Sequence, residues 1–141
     1  MATNPAKNMK LKLKKRSDEN REIFDKNDLF KIFNSEQYQQ DSFTKAYQFW
    51  CPVIALYTGA RVNEIAQLYL SDFQKYDDQW CLNINSDGDK RIKNLASKRL
   101  IPLYPFLVDD LGIIKRVEKL KSQKKKRFFP ELSKGRDGYG K

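Results

Sequence analysis

Between residues 41 and 57, Phe43, Ala46, Tyr47, Trp50, Val53, Ile54 and Tyr57 recur every three or four positions. That spacing gathers them on one face of a core helix, with Asp41 or Ser42 suited to cap its start. Pro52 falls inside the run and should bend the helix, because proline brings no amide donor. Gly59 should end it. The same period predicts a helix over 28–34, capped by Asp25 or Asn27, with Leu29, Ile32 and Phe33 as a buried stripe. A third, short helix over 62–69 should bury Ile65 and Leu68.

After Ser71 and Asp72, which read as a turn or cap, the period changes. Trp80, Leu82 and Ile84 alternate with Cys81, Asn83 and Asn85, the pattern of a strand. Ser86-Asp87-Gly88-Asp89 is a turn signal, followed by a second extended piece that includes Ile92 and Lys93. A third runs over 98–103, until Pro102 and Pro105 break it. From Phe106 a helical pattern, interrupted near Gly112, extends to about Gln123. Phe128-Phe129-Pro130 should pack back on the core, and the last residues read as loop. No internal repeat is visible. The order helix, helix, helix, small antiparallel sheet, helix makes the expected fold α+β, mainly α-helical.

The chain of 141 residues is long enough for one compact domain. Residues 1–16 carry six basic side chains and no acidic one, and too few apolar groups to fold alone; they read as a linker or arm. The folded part is expected over 17–141. Lysine and arginine outnumber aspartate and glutamate by 28 to 18, a formal charge of +10. A balance that basic favours polyanionic partners, nucleic acid first.

The absence of histidine excludes histidine-based triads, histidine metal sites and imidazole bases from this chain. Cys51 and Cys81, 30 positions apart in apolar settings, read as buried reduced thiols and not as zinc ligands. No apolar run reaches the length of a membrane span, and the start lacks a signal-peptide block. The expected compartment is the cytoplasm.

Candidate chemistry gathers at two places. Arg61 follows the Thr58-Gly59 break, at the start of a helix where an arginine fork can clamp an anion. Glu64, three residues on, lies on the same face and can orient the guanidinium. An ordinary surface ion pair has the same spacing, and spacing alone does not separate the two. Downstream, Lys90, Arg91, Lys93, Lys98 and Arg99 crowd together, as a DNA-contacting hairpin or as a charged sheet edge. The densest basic run, from Lys115 to Arg127, reads best as a solvated helix face.

Three stretches together resemble the catalytic domain of the tyrosine recombinases of phage-integrase type. YTGARVNEIAQLYLSDF (57–73) carries the family's Thr-Gly-x-Arg-x-x-Glu-Leu/Ile box. IKNLASKRLIPL (92–103) matches its hairpin lysine upstream of Arg-x-x-Pro-Leu, and RFFPEL (127–132) follows in order. The resemblance covers about residues 20–141 and implies an integrase-like catalytic domain, or the N-terminal part of one. By it, Arg61 would contact the non-bridging oxygens of a scissile phosphate and Glu64 would support it. Lys93 would protonate the departing 5′-oxygen, and Lys90, Arg91, Lys98 and Arg99 would contact DNA. Such enzymes break and rejoin duplex DNA at specific sites through a 3′-phosphotyrosine, without metal or cofactor, and assemble as tetramers on DNA.

The family's His-x-x-Arg box and nucleophilic tyrosine would come after the matched region. The 141 residues contain no such box, and Tyr139 stands outside any such motif. The resemblance therefore implies a fragment inactive in strand cleavage, with apolar surface around Phe128 and Phe129 expected to be exposed. The alternatives are a non-catalytic basic DNA-binding module of the same fold, and an interaction protein whose basic face serves solubility.

Overall fold

The computed structural model describes residues 22–136 together with Gly138 and Tyr139. The basic segment over 1–16 lies outside the described residues. The chain divides into two compact units, one ending at Ser35 and the other starting at Glu36.

In the first unit, helix α1 spans Lys26–Phe33. Asp25 caps it: its carboxylate accepts the Asp28 amide at 2.8 Å, and the Asp28 carboxylate accepts the Asp25 amide at 3.2 Å. The cap is one of the two expected, but the expected buried stripe is not formed. Leu29, Ile32 and Phe33 are half-buried, and no residue of the helix is fully buried.

The second unit is α+β, with a three-stranded antiparallel sheet in the order β1-β2-β3. Helix α2 (Glu36–Gln39) is a single turn that the polar sequence EQYQ gave no period to announce. Helix α3 (Ala46–Thr58) starts three to four positions later than expected. Gln48 is the reason: its side-chain oxygen accepts the Lys45 amide at 3.0 Å and closes the first turn there. Trp50, Val53 and Ile54 form the buried face of α3, whereas Tyr57 stays 38% exposed.

Pro52 stands inside α3 and leaves the Gln48 carbonyl without its helical amide. The Tyr38 hydroxyl, carried on α2, points at that carbonyl at 3.3 Å and at the Phe49 carbonyl at 3.2 Å. Burial pushes the Tyr38 phenol up to about 12, so it remains a donor throughout the physiological range. Tyr38→Phe is expected to cost about 0.5–1.5 kcal/mol in urea unfolding, since it removes the donor and keeps the ring.

At Gly59 the chain takes a left-handed turn, φ 64°, and its amide closes on the Ala55 carbonyl at 2.9 Å. Helix α4 (Val62–Ala66) begins three residues later and buries Ile65, with Leu68 buried just beyond it. A 3-10 turn at Leu70–Asp72 then leads into the sheet.

Strand β1 (Phe73–Tyr76) was not anticipated. It pairs with β2 (Gln79–Ile84) through a two-residue turn at Asp77 and Asp78, both with positive φ (43° and 65°). Positive φ at both central positions is the turn geometry whose twist matches a β-hairpin, and aspartate tolerates it. Strand β3 (Arg99–Pro102) pairs with the other side of β2. Ile92 and Lys93 are not in a strand, contrary to the pattern; they lie on a long loop joining β2 to β3. The turn after Asp87 is present, with the Lys90 amide on the Asp87 carbonyl at 3.3 Å, but it opens that loop and not a tight hairpin.

A π-helical turn (Phe106–Asp110) and helix α5 (Ile113–Ser122) follow, parted at Gly112. The chain then returns to the start of the sheet. Leu70 donates to the Lys126 carbonyl at 2.9 Å, and Phe128 donates to that of Leu68 at 3.0 Å. This return buries Phe128 and Phe129 completely, so they pack back on the core as their apolar character predicts, and the exposure expected of a fragment is corrected. Phe128 meets Trp50, Phe73 and Phe129 with centroids 5.9, 5.0 and 4.9 Å away. Both cysteines are free thiols, Cys81 buried and Cys51 half-buried, and burial pushes the Cys51 thiol up to about 12. Among the described residues, no helix is long and apolar enough to cross a membrane.

Candidate functional site

The break at Thr58-Gly59 sets where Arg61 stands. The Thr58 hydroxyl donates to the Ile54 carbonyl at 2.6 Å and accepts the Ala60 amide at 3.2 Å, which fixes the chain between α3 and α4. Arg61 immediately precedes α4, and its amide donates to the Glu64 carboxylate at 2.9 Å. That amide is therefore satisfied within the chain, and the anion-attracting element of Arg61 is its side chain.

Glu64 is the organising charge. Only 3% of its side chain is exposed, and its two oxygens receive three donors. The guanidinium of Arg61 reaches one oxygen at 3.1 Å; that of Arg99, arriving from β3, reaches the other at 3.0 Å. Burial by itself would raise the Glu64 carboxyl, but the Arg99 and Arg61 donors outweigh it and hold the group below its ordinary value. The carboxylate is thus ionised at neutral pH and fixes two arginines from distant parts of the chain.

Arg61 also donates to the Ser97 hydroxyl at 3.2 Å, and Ser97 donates to the Asn94 side chain at 2.7 Å. The β2–β3 loop is in this way tied to the start of α4. Gln67, 2% exposed, ties it a second time. Its side-chain amide donates to the Arg91 carbonyl at 2.7 Å and accepts the Arg91 amide at 2.8 Å. The result is an open cleft of about 260 Å³ lined by Arg61, Asn63, Glu64, Arg91, Ile92 and Lys93. More than half of the Arg61 side chain faces solvent, and Lys93 is exposed.

The chain matches no family model, no curated protein and no solved structure. The site is accordingly read from its own geometry.

Of the basic residues singled out by sequence, Arg61, Arg91 and Lys93 share the cleft. Lys98 is exposed and does not line it. Arg99 is drawn inward by Glu64 and by the Ser97 carbonyl, to which it donates at 2.9 Å. Lys90 is corrected outright. It is buried, with its ammonium 2.6 and 2.8 Å from the two oxygens of Asp72, and is not available to contact DNA. The run ending at Arg127 is also divided. Its lysines are exposed as a solvated face would be, except that Arg116 and Arg127 turn inward to the carbonyls of Phe128 and Gln67 at 3.0 and 2.9 Å.

Beside the cleft lies a second polar cluster that sequence reasoning missed. Asp89 accepts from the hydroxyls of Tyr69 and Tyr139 at 2.5 and 2.7 Å, and it pairs with Arg127. The hydrogen bonds from the two tyrosines are the main reason its carboxyl lies well below the usual carboxylate range. Burial, then the bond to Asp89, pushes the Tyr139 phenol upward. Tyr139 is thereby a packed, neutral donor, and its amide donates to Asn63 on the rim of the cleft at 2.9 Å. That cluster left no local signal in the sequence; the clamp on the β2–β3 loop left one, since Gln67 is a polar residue between Ala66 and Leu68.

Proposed function

We propose that this chain is a phosphate-gripping part of a tyrosine-recombinase catalytic domain, acting on duplex DNA. The observation that supports this most is that Arg61 and Lys93, 32 positions apart, line one open cleft with a buried carboxylate behind it. The resemblance required that pairing of its first box with its hairpin lysine, and spacing alone could not supply it.

In this reading Arg61 lays its guanidinium against the non-bridging oxygens of a phosphodiester, where negative charge grows during attack. Glu64 holds the fork in place, and the second arginine on Glu64 offsets its negative charge, so that the pair of guanidiniums leaves the site cationic toward a phosphate. In a complete catalytic domain, where a tyrosine would bring the attacking oxygen, Lys93 would give its proton to the departing 5′-oxygen. The attacking tyrosine and the His-x-x-Arg box of the family are not among these residues. The chain as it stands binds and does not cleave.

The test is fluorescence anisotropy with a labelled DNA duplex at salt concentrations from 50 to 200 mM. Affinity is expected to fall as salt rises, with a log–log slope near −0.9 for each phosphate contacted. Arg61→Ala/Lys93→Ala should make that slope shallower by about one to two. Salt-independent binding, or a slope untouched by the double substitution, would remove the phosphate role from both residues.

A further inference from the structure

A second depression, of about 620 Å³, adjoins the cleft and is lined by Asn63, Arg91, Lys134, Gly135, Arg136 and Gly138. Asn63 and Arg91 line both. We infer that the phosphate cleft continues here into a second phosphate subsite, built from Arg91 and Lys134, so that the chain holds two phosphates of one DNA duplex. This rests on the reading of Arg61 and Lys93 as a phosphate clamp and extends it along the nucleic-acid backbone.

Three features carry the inference. The first is charge. Among the described residues, the lining of the second depression includes the cations Arg91 and Lys134 and no carboxylate, and the carboxylate of the first cleft is engaged by Arg61 and Arg99. Among the described residues no carboxylate pairs with Arg91 or Lys134. Among the described residues, the Lys134 ammonium donates one hydrogen bond, to the Asp89 carbonyl at 2.9 Å, out of three donors.

The second is placement. Gln67 clamps the Arg91 backbone from both sides, and the segment carrying Lys134 is pinned at its far end by Tyr139 to Asp89 and Asn63. The backbone that carries Arg91 and the segment that carries Lys134 are thus held where both residues line one trough.

The third is backbone access. Gly138 has a φ of 110°, and a Cβ there would come within 2.5 Å of the Asn63 side-chain oxygen. Glycine lets this segment pack closely against the Asn63 side chain at the cleft rim. The volume exceeds what one phosphate needs and suits a stretch of sugar–phosphate backbone.

The experiment compares salt slopes for duplex DNA among wild type, R91Q/K134Q, R61Q/K93Q and the quadruple variant. K119Q/K121Q, on the exposed face of α5, controls for lost net charge. R91Q/K134Q should flatten the slope by about one to two, additively with R61Q/K93Q, while K119Q/K121Q leaves it unchanged. The charge-retaining R91K/K134R should keep the slope. In wild type, duplex DNA should protect the Lys134 amine from acetylation and leave Lys119 reactive, a readout that needs no variant to fold. Normal DNA slope in R91Q/K134Q, an equal loss in the control, or an unprotected Lys134 would overturn the second subsite and leave the Arg61 reading standing. Absence of salt-dependent binding in wild type would overturn both.

Discussion

Lys90→Ala is expected to lower the unfolding free energy by about 3–5 kcal/mol, the range for breaking a buried ion pair by removing one partner. The Lys90 and Asp72 side chains are 2% and 5% exposed, so water replaces little of what is lost. Asp72 would keep two donors, the Asn85 side chain at 2.9 Å and the Tyr69 amide at 2.8 Å, but no counter-charge. The Tyr69 ring would also lose the ammonium 5.0 Å from its centroid. Against a domain stability of about 5–15 kcal/mol this is a large fraction, equivalent to a drop in melting temperature of roughly 10–20 °C. Lys98→Ala, at an exposed position of the same basic cluster, should stay within about 0.5 kcal/mol of wild type. Urea unfolding of the two variants decides it. Equal, small effects would mean that the Lys90 ammonium lies at the surface, and would return it to the set of possible phosphate contacts.

Lys90 also shows where sequence reasoning reached its limit. Five basic residues within ten positions carry the same formal charge, and nothing in their spacing says which meets a carboxylate. The partner of Lys90 is 18 positions upstream and that of Arg99 is 35 positions upstream. Local pattern served better where local forces dominate. Helix α4, the end of α3 at Gly59, the break at Gly112 and strand β2 follow from period, cap and turn chemistry. It failed at β1, whose four residues FQKY are too few to show an alternation and whose turn uses aspartates where asparagine-glycine is the usual signal. It failed again at Ile92-Lys93, next to Arg91, whose backbone amide and carbonyl are taken by the Gln67 side chain and not by a neighbouring strand. The candidate site was legible as residues, since Arg61, Glu64 and Lys93 were all named, but not as an arrangement. Asn63, Gln67, Ser97 and Asp89 set that arrangement through contacts across the fold.

Glu64→Gln should separate a carboxylate that organises the cleft from one that merely decorates a helix. The substitution keeps the shape but removes the charge on which the Arg61 and Arg99 guanidiniums converge. Both arginines retain partial access to water, so the expected cost is about 1–3 kcal/mol, less than for the fully buried Lys90 pair. Its pH dependence is the sharper signature. The Glu64 pKa is lower in the folded chain than in the unfolded one, where a free glutamate titrates near about 4.3. The stability it contributes is therefore fully present above that range and is lost as pH falls through the lower, folded-state value. Thermal melts of wild type and Glu64→Gln from pH 7 downward should accordingly show a gap that is widest at neutral pH and closes in acid. In DNA binding, the variant should keep most of its affinity, because the cations remain, while Arg61 loses its fixed direction. A stability gap that stayed constant down to pH 3 would mean that the carboxylate is not held ionised by the two arginines, and the cleft would lose the support that distinguishes Arg61 from an ordinary surface charge.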